Sequence, residues 1–189
     1  MPLALVNAPN SEPVTLAEAK QHLRVTITTD DDLIDALIQS ARVQAENYTG
    51  RAFVTQTWDL KLDAFPEVIE VPLPPLISVS SVKYIDTSGV QQTLATSGYT
   101  VDTTAQPGRI VPAFDDDWPD ARGHINDVEV RFVAGYGAPA AVPAAVRHAL
   151  LLILGELYER RENAIVGTTI NPVPLSAEYL LAPYRQFRF

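Results

Sequence analysis

The residues whose types and spacing could support chemistry fall into three groups, of which the first is glycine-rich. Residues 135–140, GYGAPA, carry two glycines and an alanine at the spacing of a dinucleotide-binding loop, directly after a predicted strand. Pro139 and Pro143 interrupt the glycine-to-helix turn that such a loop needs, and no βαβ alternation surrounds it. We therefore interpret Gly135 and Gly137 as a structural turn, with Pro143 suited to the first turn of the helix that follows.

The second group consists of two acidic triplets, residues 30–32 and residues 115–117, each made of three aspartates. Neither triplet has the ligand spacing or the closing glutamate of an EF-hand calcium loop. The first precedes a predicted helix, where aspartates cap the backbone and interact favourably with the helix dipole. The second lies in a predicted loop before Trp118. We expect no metal ion at either triplet.

The third group is the set of histidines, His22, His124 and His148, which are far apart in the sequence. Neither a zinc-protease nor a serine-hydrolase motif accompanies them. The chain has no cysteine, which excludes disulfides, thiolate metal sites and cysteine nucleophiles. The sequence thus predicts no catalytic residue, no metal ligand and no cofactor. An enzyme or ligand-binding domain remains the alternative if folding brings the histidines into one polar pocket.

Composition restricts the class of protein further. The chain has 189 residues, of which 47% are hydrophobic, so it can form a core as one domain or as a domain with an insertion. A net charge of −9 disfavours non-specific binding to nucleic acid. Residues 1–10 do not resemble a signal peptide. The apolar run at 149–154 is far too short to span a bilayer, which takes about 20 residues. We therefore expect no membrane partner.

The elements that must position these residues centre on residues 128–162. Apolar and polar residues alternate over 128–134, which predicts a strand. After the glycine turn, apolar residues recur at helical spacing from about residue 143 to residue 161. This broad stripe predicts that the helix forms the core of the fold.

The N-terminal third of the chain predicts two helices. Thr15 and Glu18 match a capping box that opens a short helix ending near residue 23. A second amphipathic helix is predicted over residues 31–49, with Gly50 at the position of a C-terminal capping glycine. The middle of the chain predicts short antiparallel strands separated by turns. The predicted strands are residues 54–63, 68–71, 79–86, 90–94, 99–102 and 109–112.

These elements predict an α+β fold in which an antiparallel β subdomain is inserted between the second and third main helices of a small helical bundle. A final short helix is predicted over 177–181, with Ser176 as its cap and Pro183 after its end. The predicted segments are the N-terminal helices at 1–53, the β subdomain at 54–134, the central helix at 135–162, and a linker, short helix and docking tail at 163–189.

Six short motifs, taken in their order and spacing, resemble one family over nearly the whole chain. They are PVTLAEAKQHLRV (13–25), AENYTGR (45–51), TQTW (55–58), AGYG followed by VP (134–143), LYERRE (157–162) and LLAPYR (180–185). The chain resembles the head–tail connector, or adaptor, proteins of tailed bacteriophages, in the subfamily with a β insertion. Related proteins occur in phage-like gene transfer agents.

The resemblance implies a structural virion protein and not an enzyme. Members of this family form a ring beneath the portal protein, extend the DNA channel and offer a surface to the next tail component, a stopper or a tail terminator. The implied partners are therefore the portal, that tail component and further copies of the chain, most simply in a dodecameric ring. DNA would pass through the lumen without specific binding. The implied location is the head–tail interface of the virion, after synthesis in the bacterial cytoplasm.

The resemblance implies that the C-terminal segment of the chain reaches the portal. Leu180, Leu181 and Tyr184 lie on one face of the predicted short helix, which needs a partner surface on its own subunit or on the portal. The tail adds two arginines and two aromatic residues, types that are enriched at interface hot spots. The predicted portal-docking residues are Leu180, Leu181, Tyr184, Arg185, Phe187, Arg188 and Phe189. Another tail-completion or structural virion protein is the nearest alternative function.

Overall fold

The computed structural model of the chain describes residues 2–160 and 174–186, and their fold is the predicted α+β class. The described helices are α1 (Leu16–Leu23), α2 (Asp31–Thr49), α3 (Ala144–Glu159) and α4 (Leu175–Leu181). The described strands are β1 (Leu3–Asn7), β2 (Gln56–Leu62), β3 (Ile69–Val71), β4 (Leu76–Ile85), β5 (Gln91–Leu94), β6 (Tyr99–Asp102), β7 (Gly108–Pro112) and β8 (Val128–Ala134).

The chain divides into two compact units. The β unit comprises Met1–Asn10 and Thr55–Gly137, and the helical unit comprises Ser11–Val54 and Ala138–Phe189. The β unit is thus inserted between α2 and α3 of the helical unit, in the predicted order of elements.

Helix α3 supplies the core of the helical unit. It packs against α1, α2 and α4. Its buried residues recur at helical spacing and are Val146, Ala149, Leu150, Ile153 and Leu154. Pro143 lies at the N-cap of α3, one position before the first helical residue, and a short 3-10 turn at Pro139–Ala141 separates this helix from β8. The two glycines after β8 have the positive φ that favours glycine, 123° at Gly135 and 104° at Gly137.

The first two helices begin in different ways. At α1 the predicted capping box is present, because the Glu18 N–H donates to Thr15 Oγ1 over 3.2 Å and the Thr15 N–H donates to Glu18 Oε2 over 2.8 Å. At α2 the predicted aspartate cap is wrong. Asp30 occupies the N-cap but its side chain makes no capping hydrogen bond. Its Oδ2 instead accepts from the Tyr158 hydroxyl of α3 over 2.6 Å, so this aspartate ties two helices together.

Motif residues of the helical unit hold its N-terminal part in place. Arg42 Nε donates to Glu12 Oε2 over 2.7 Å, and Arg42 Nη1 donates to Glu46 Oε2 over 2.8 Å. The other oxygen of Glu46 accepts from the Phe53 N–H over 2.8 Å. Arg147 Nε donates to the Pro13 carbonyl over 3.1 Å, and this guanidinium also pairs with Glu18. These contacts give the AENYTGR and PVTLAEAKQHLRV motifs a structural role.

Two antiparallel sheets form the β unit. The larger sheet has the order β1-β2-β8-β4-β5, and the smaller has the order β3-β7-β6. Strand β8 lies at the centre of the larger sheet, where Val128, Val130, Phe132 and Ala134 are buried in the predicted alternation. Beside them, Arg131 of β8 forms a two-pronged ion pair with Asp59 of β2, both N–O distances being 2.8 Å.

Strand β1 was not predicted, and residues 1–10 belong to the β unit instead of the N-terminal helices at 1–53. The segment LALVN has no alternation of apolar and polar residues. It becomes a strand because it pairs with β2, with Leu3 opposite Leu60 and Leu5 opposite Trp58. Pairing to a distant strand is the signal that a local pattern does not contain.

Candidate docking site

The C-terminal segment packs on its own subunit up to the last described residue. Helix α4 lies against α3 and α2, with Ala177 and Leu181 both 0% exposed. The predicted cap at Ser176 is wrong, because the helix begins at Leu175 with Pro174 at the N-cap and Ser176 is exposed. The sequence predicted that this helix packs either on its own subunit or on the portal. In the structure it packs on α3 and α2 of its own subunit.

The chain after α4 is fixed to the C-terminal end of α2. Arg51 Nε donates to the Tyr184 carbonyl, and the Gln186 N–H donates to the Thr49 carbonyl over 2.8 Å. The Arg185 guanidinium lies over the ring of Tyr48, with 5.1 Å from its central carbon to the ring centroid. The backbone therefore reaches Gln186 along a defined path, and the last three residues continue from a fixed point.

The predicted docking residues have different environments in the structure. Leu181 is fully buried, and Leu180 and Tyr184 are half-buried. Arg185 is exposed, whereas Phe187, Arg188 and Phe189 lie outside the described residues. The structure therefore makes Leu181 a packing residue of the helical unit.

The same segment exposes large apolar residues that sequence reasoning missed. Leu175 is 55% exposed and Tyr179 is 73% exposed, one helical turn apart on α4. Pro183 and Arg185 are exposed beyond them. The i, i+4 spacing of Leu175 and Tyr179 could have revealed this pair, had the helix start been placed correctly.

The groups that could suit an enzyme do not assemble a site in the described residues. The rings of His22 and His148 lie edge to face with centroids 6.5 Å apart in the helical unit, while His124 belongs to a loop of the β unit. A groove of about 580 Å³ in the β unit is lined by residues 6–10 and 55–57, which include no charged residue and no histidine. Nowhere in the described ranges do three or more histidines or carboxylates form a group that could hold a metal ion.

The second acidic triplet lies in a structured loop of the β unit. Trp118 stacks on Phe65 with ring centroids 4.8 Å apart. At the loop's end, Arg122 Nη2 donates to Asp127 Oδ1 over 2.7 Å. This bond and the one from the His124 N–H lower the pKa of Asp127, against the opposing effect of burial. Phe114, just before the triplet, is 93% exposed. The loop thus presents a phenyl ring beside three carboxylates.

Negative charge is concentrated in the β unit. Its residues include 12 aspartates and glutamates and only 5 lysines and arginines. The helical unit has 11 acidic and 9 basic residues, so it is close to neutral. None of the described helices is long and apolar enough to cross a membrane.

Comparison with known proteins decides the family. The family model of the phage gp6-like head-tail connector proteins matches residues 13–107, which is half of the chain. The chain belongs to this family of phage head–tail connectors. The matched region of the connector covers α1, α2 and strands β2 to β6 of the β unit.

Solved structures share the fold of this connector over its full length. A chain from the neck of an empty gene transfer agent particle computed with C6 symmetry has a TM-score of 0.81, and one from a native gene transfer agent virion has the same score. A chain from the neck of a native particle computed with C12 symmetry has a TM-score of 0.79. Each is 23% identical, and each alignment covers 100% of the connector and 97% of the other chain. No curated protein matches the sequence significantly.

Proposed function

We propose that this connector is a structural head–tail adaptor that forms a ring beneath the portal, extends the DNA channel and presents the docking surface for the next tail component. The observation that carries the proposal is the match to the head-tail connector family over residues 13–107. The shared fold with chains from gene transfer agent necks supports it over the rest of the sequence. The protein acts by assembly, so the proposal assigns it no catalytic role.

Ring formation requires each copy to use two different surfaces. Rotation about a single axis places one patch of a subunit against another patch of its neighbour, and the contact repeats until the ring closes. The similar solved chains come from necks computed with C6 and C12 symmetry. We propose a dodecameric ring for this chain.

The acidic β unit suits a protein through which DNA passes. Carboxylates repel the phosphate backbone and prevent adhesion during ejection. At physiological ionic strength this repulsion extends over about 8–10 Å, so only carboxylates near the lumen contribute. The nearly neutral helical unit is the better candidate for close contact with acidic neighbours.

We assign portal docking to the C-terminal segment. Its described part offers exposed Tyr179 and Arg185, and half-buried Leu180 and Tyr184 border them. The hydrogen bonds to Arg51 and Thr49 fix the backbone at Tyr184 and Gln186. Phe187, Arg188 and Phe189 then supply two aromatic rings and a cation, the types enriched in interface hot spots. Leu181 supports this segment from inside the subunit.

A truncation tests the docking assignment. Removing residues 187–189 should leave the thermal melt unchanged, because the described contacts hold α4 and the backbone up to Gln186 in place without them. The truncation should abolish co-sedimentation with portal-bearing capsids. Phe114→Ala is the matched control, since it also removes an exposed aromatic ring but in the β unit. We expect that control to co-sediment as the wild type does. Wild-type attachment by the truncated chain would show that the tail is not the anchor.

A further inference from the structure

The larger sheet of the β unit ends in two open edges. Strand β1 pairs only with β2, and strand β5 pairs only with β4, among the residues that the structure describes. Residues 4–7 of β1 and residues 91–93 of β5 are exposed. An edge strand presents unpaired backbone N–H and C=O groups that can pair with another chain.

The hydrogen bonds to β2 show which backbone groups of β1 point away from the sheet. The Lys61 N–H donates to the Pro2 carbonyl over 3.1 Å, so the carbonyl of Pro2 points inwards to β2. Inward and outward positions alternate along an antiparallel pair. Leu3 and Leu5 therefore direct their N–H and C=O groups away from the sheet. The register shift between Leu5 and Asn7 ends this regular edge.

The same reasoning applies to β5. The Asp86 N–H donates to the Val90 carbonyl over 2.9 Å, so Val90 points inwards to β4. By alternation Gln91 and Thr93 direct their backbone groups outwards. Among the described residues, each edge thus offers two residues whose backbone donors and acceptors point away from the sheet.

The two edges are complementary in direction. Every neighbouring pair in the sheet is antiparallel, so β1 and β5, four steps apart, run the same way. A copy rotated about an axis parallel to the strands keeps its strand direction. Its β1 could then lie parallel to β5 of the preceding copy, and the contact would repeat from copy to copy.

Charge favours a second copy as the occupant of these edges. The β unit is strongly acidic, yet residues 1–10 and 87–101 contain no charged side chain. Natural edge strands are commonly protected from self-association by charges or an internal proline, and neither β1 nor β5 carries one within its bounds. Two acidic copies can therefore approach along these edges without bringing like charges together.

We propose that β1 of one copy pairs in parallel with β5 of the next copy, and that this contact joins neighbouring subunits. The inference rests on the proposed ring and names part of its subunit interface. Because both strands are short, the pairing contributes a few hydrogen bonds and fixes the register of a larger interface. It also explains why a short uncharged strand is added to the edge of an acidic sheet.

Disulfide trapping tests the contact directly, since the chain has no cysteine of its own. Leu5→Cys would be combined with Gln91→Cys in one variant and with Gln92→Cys in another, because adjacent residues point to opposite faces of a strand. Rings assembled on portal-bearing capsids would be oxidised and separated under denaturing conditions. We expect one double variant to give a ladder of covalent multimers up to ring size. Each single-cysteine variant should remain monomeric.

The results of the trapping experiment distinguish failure of the strand pairing from failure of the proposed ring. Rings seen by electron microscopy without a ladder from either double variant would overturn the strand pairing and leave the ring intact. A dimer from Leu5→Cys alone would show that β1 pairs with β1, which also overturns it. Absence of rings at the portal would overturn both proposals.

A proline substitution provides a second test. Leu5→Pro removes an outward N–H while leaving the hydrogen bonds between β1 and β2, as tolerated on edge strands. Loss of one net hydrogen bond should weaken each subunit contact about fivefold, and because every contact is affected the ring yield should fall by at least that factor. Leu5→Thr keeps the N–H and a strand-forming side chain, and should assemble normally. Equal ring yields for both variants, each with a wild-type melt, would contradict the proposal.

Discussion

Arg185 places its guanidinium over the ring of Tyr48, 5.1 Å from the ring centroid, and so joins the end of the described chain to α2. A cation over an aromatic face contributes about 0.5–1 kcal/mol at an exposed site. Together with the bonds from Arg51 and Gln186, this contact makes the C-terminal segment part of the helical unit. The proposed portal docking would then use a surface that is already ordered in the free subunit.

Leu181 should behave as a core residue. Leu181→Ala is expected to lower the free energy of unfolding by about 2–5 kcal/mol, the usual cost of truncating a buried leucine. Leu180→Ala, at a half-buried neighbouring position, is the control and should cost clearly less. The denaturant midpoints of the two variants measure this difference in stability. A Leu181→Ala protein as stable as the wild type would show that α4 does not pack as described.

Helix α3 should be the element on which the helical unit depends most. Leu150→Ala or Leu154→Ala is expected to destabilise by about 2–5 kcal/mol, since both side chains are buried against neighbouring helices. Leu33→Ala on α2 is a matched control, because that leucine is 38% exposed. In chemical denaturation, the two α3 variants should have clearly lower denaturant midpoints than the control. Similar midpoints for all three variants would show that α3 does not form the core of the helical unit.

The pair of Asp59 and Arg131 should make the β unit sensitive to acid. The hydrogen bond from Arg131 lowers the pKa of Asp59, against the opposing effect of burial. A carboxylate with a lowered folded-state pKa stabilises the fold above its unfolded pKa of about 3.9, and this stabilisation disappears as pH falls through the folded value. Asp59→Asn should therefore cost about 1–2 kcal/mol at pH 7 and progressively less below about pH 4.

A double-mutant cycle provides the check on this pair. In an Arg131→Gln background, Asp59→Asn should lose most of its pH-dependent effect, because the charge partner is already gone. Unfolding would be followed by denaturant titration at several pH values. A cost of Asp59→Asn that stayed constant from neutral to strongly acidic pH would show that the ion pair does not set the acid limit.

The isolated protein should bind duplex DNA poorly. Twelve acidic residues in the β unit against five basic ones leave few cations for phosphate contacts. Fluorescence anisotropy at physiological salt should show no saturation in the low micromolar range. Micromolar affinity would contradict the proposal that the channel surface repels DNA.

Most of the fold could be predicted from local patterns, and the exceptions depended on distant contacts. The α3 stripe, the capping box at Thr15 and the alternation in β8 each report the environment of their own segment. Strand β1 could not be found in this way, because only its pairing with β2 makes it a strand. The role of Asp30 was misassigned for the same reason, since its partner Tyr158 lies 128 residues away.

The short C-terminal helix could be predicted from the sequence, but not which of its residues are buried. Spacing placed Leu180, Leu181 and Tyr184 on one helical face, yet it could not show that Leu181 packs inside the subunit. The exposed pair Leu175 and Tyr179 was missed because the helix starts earlier than the cap at Ser176 predicted. Which side of a short helix is covered depends on the neighbouring helices, and these are set by tertiary structure.

Cryo-electron microscopy of the assembled particle tests the central claim most directly. We expect a closed ring of this chain between the portal and the next tail component, with the C-terminal residues in contact with the portal. The ring should be absent from particles made without this chain, and those particles should lack tails. Density for the chain at any other position, or tailed particles assembled without it, would contradict the assignment as a head–tail adaptor.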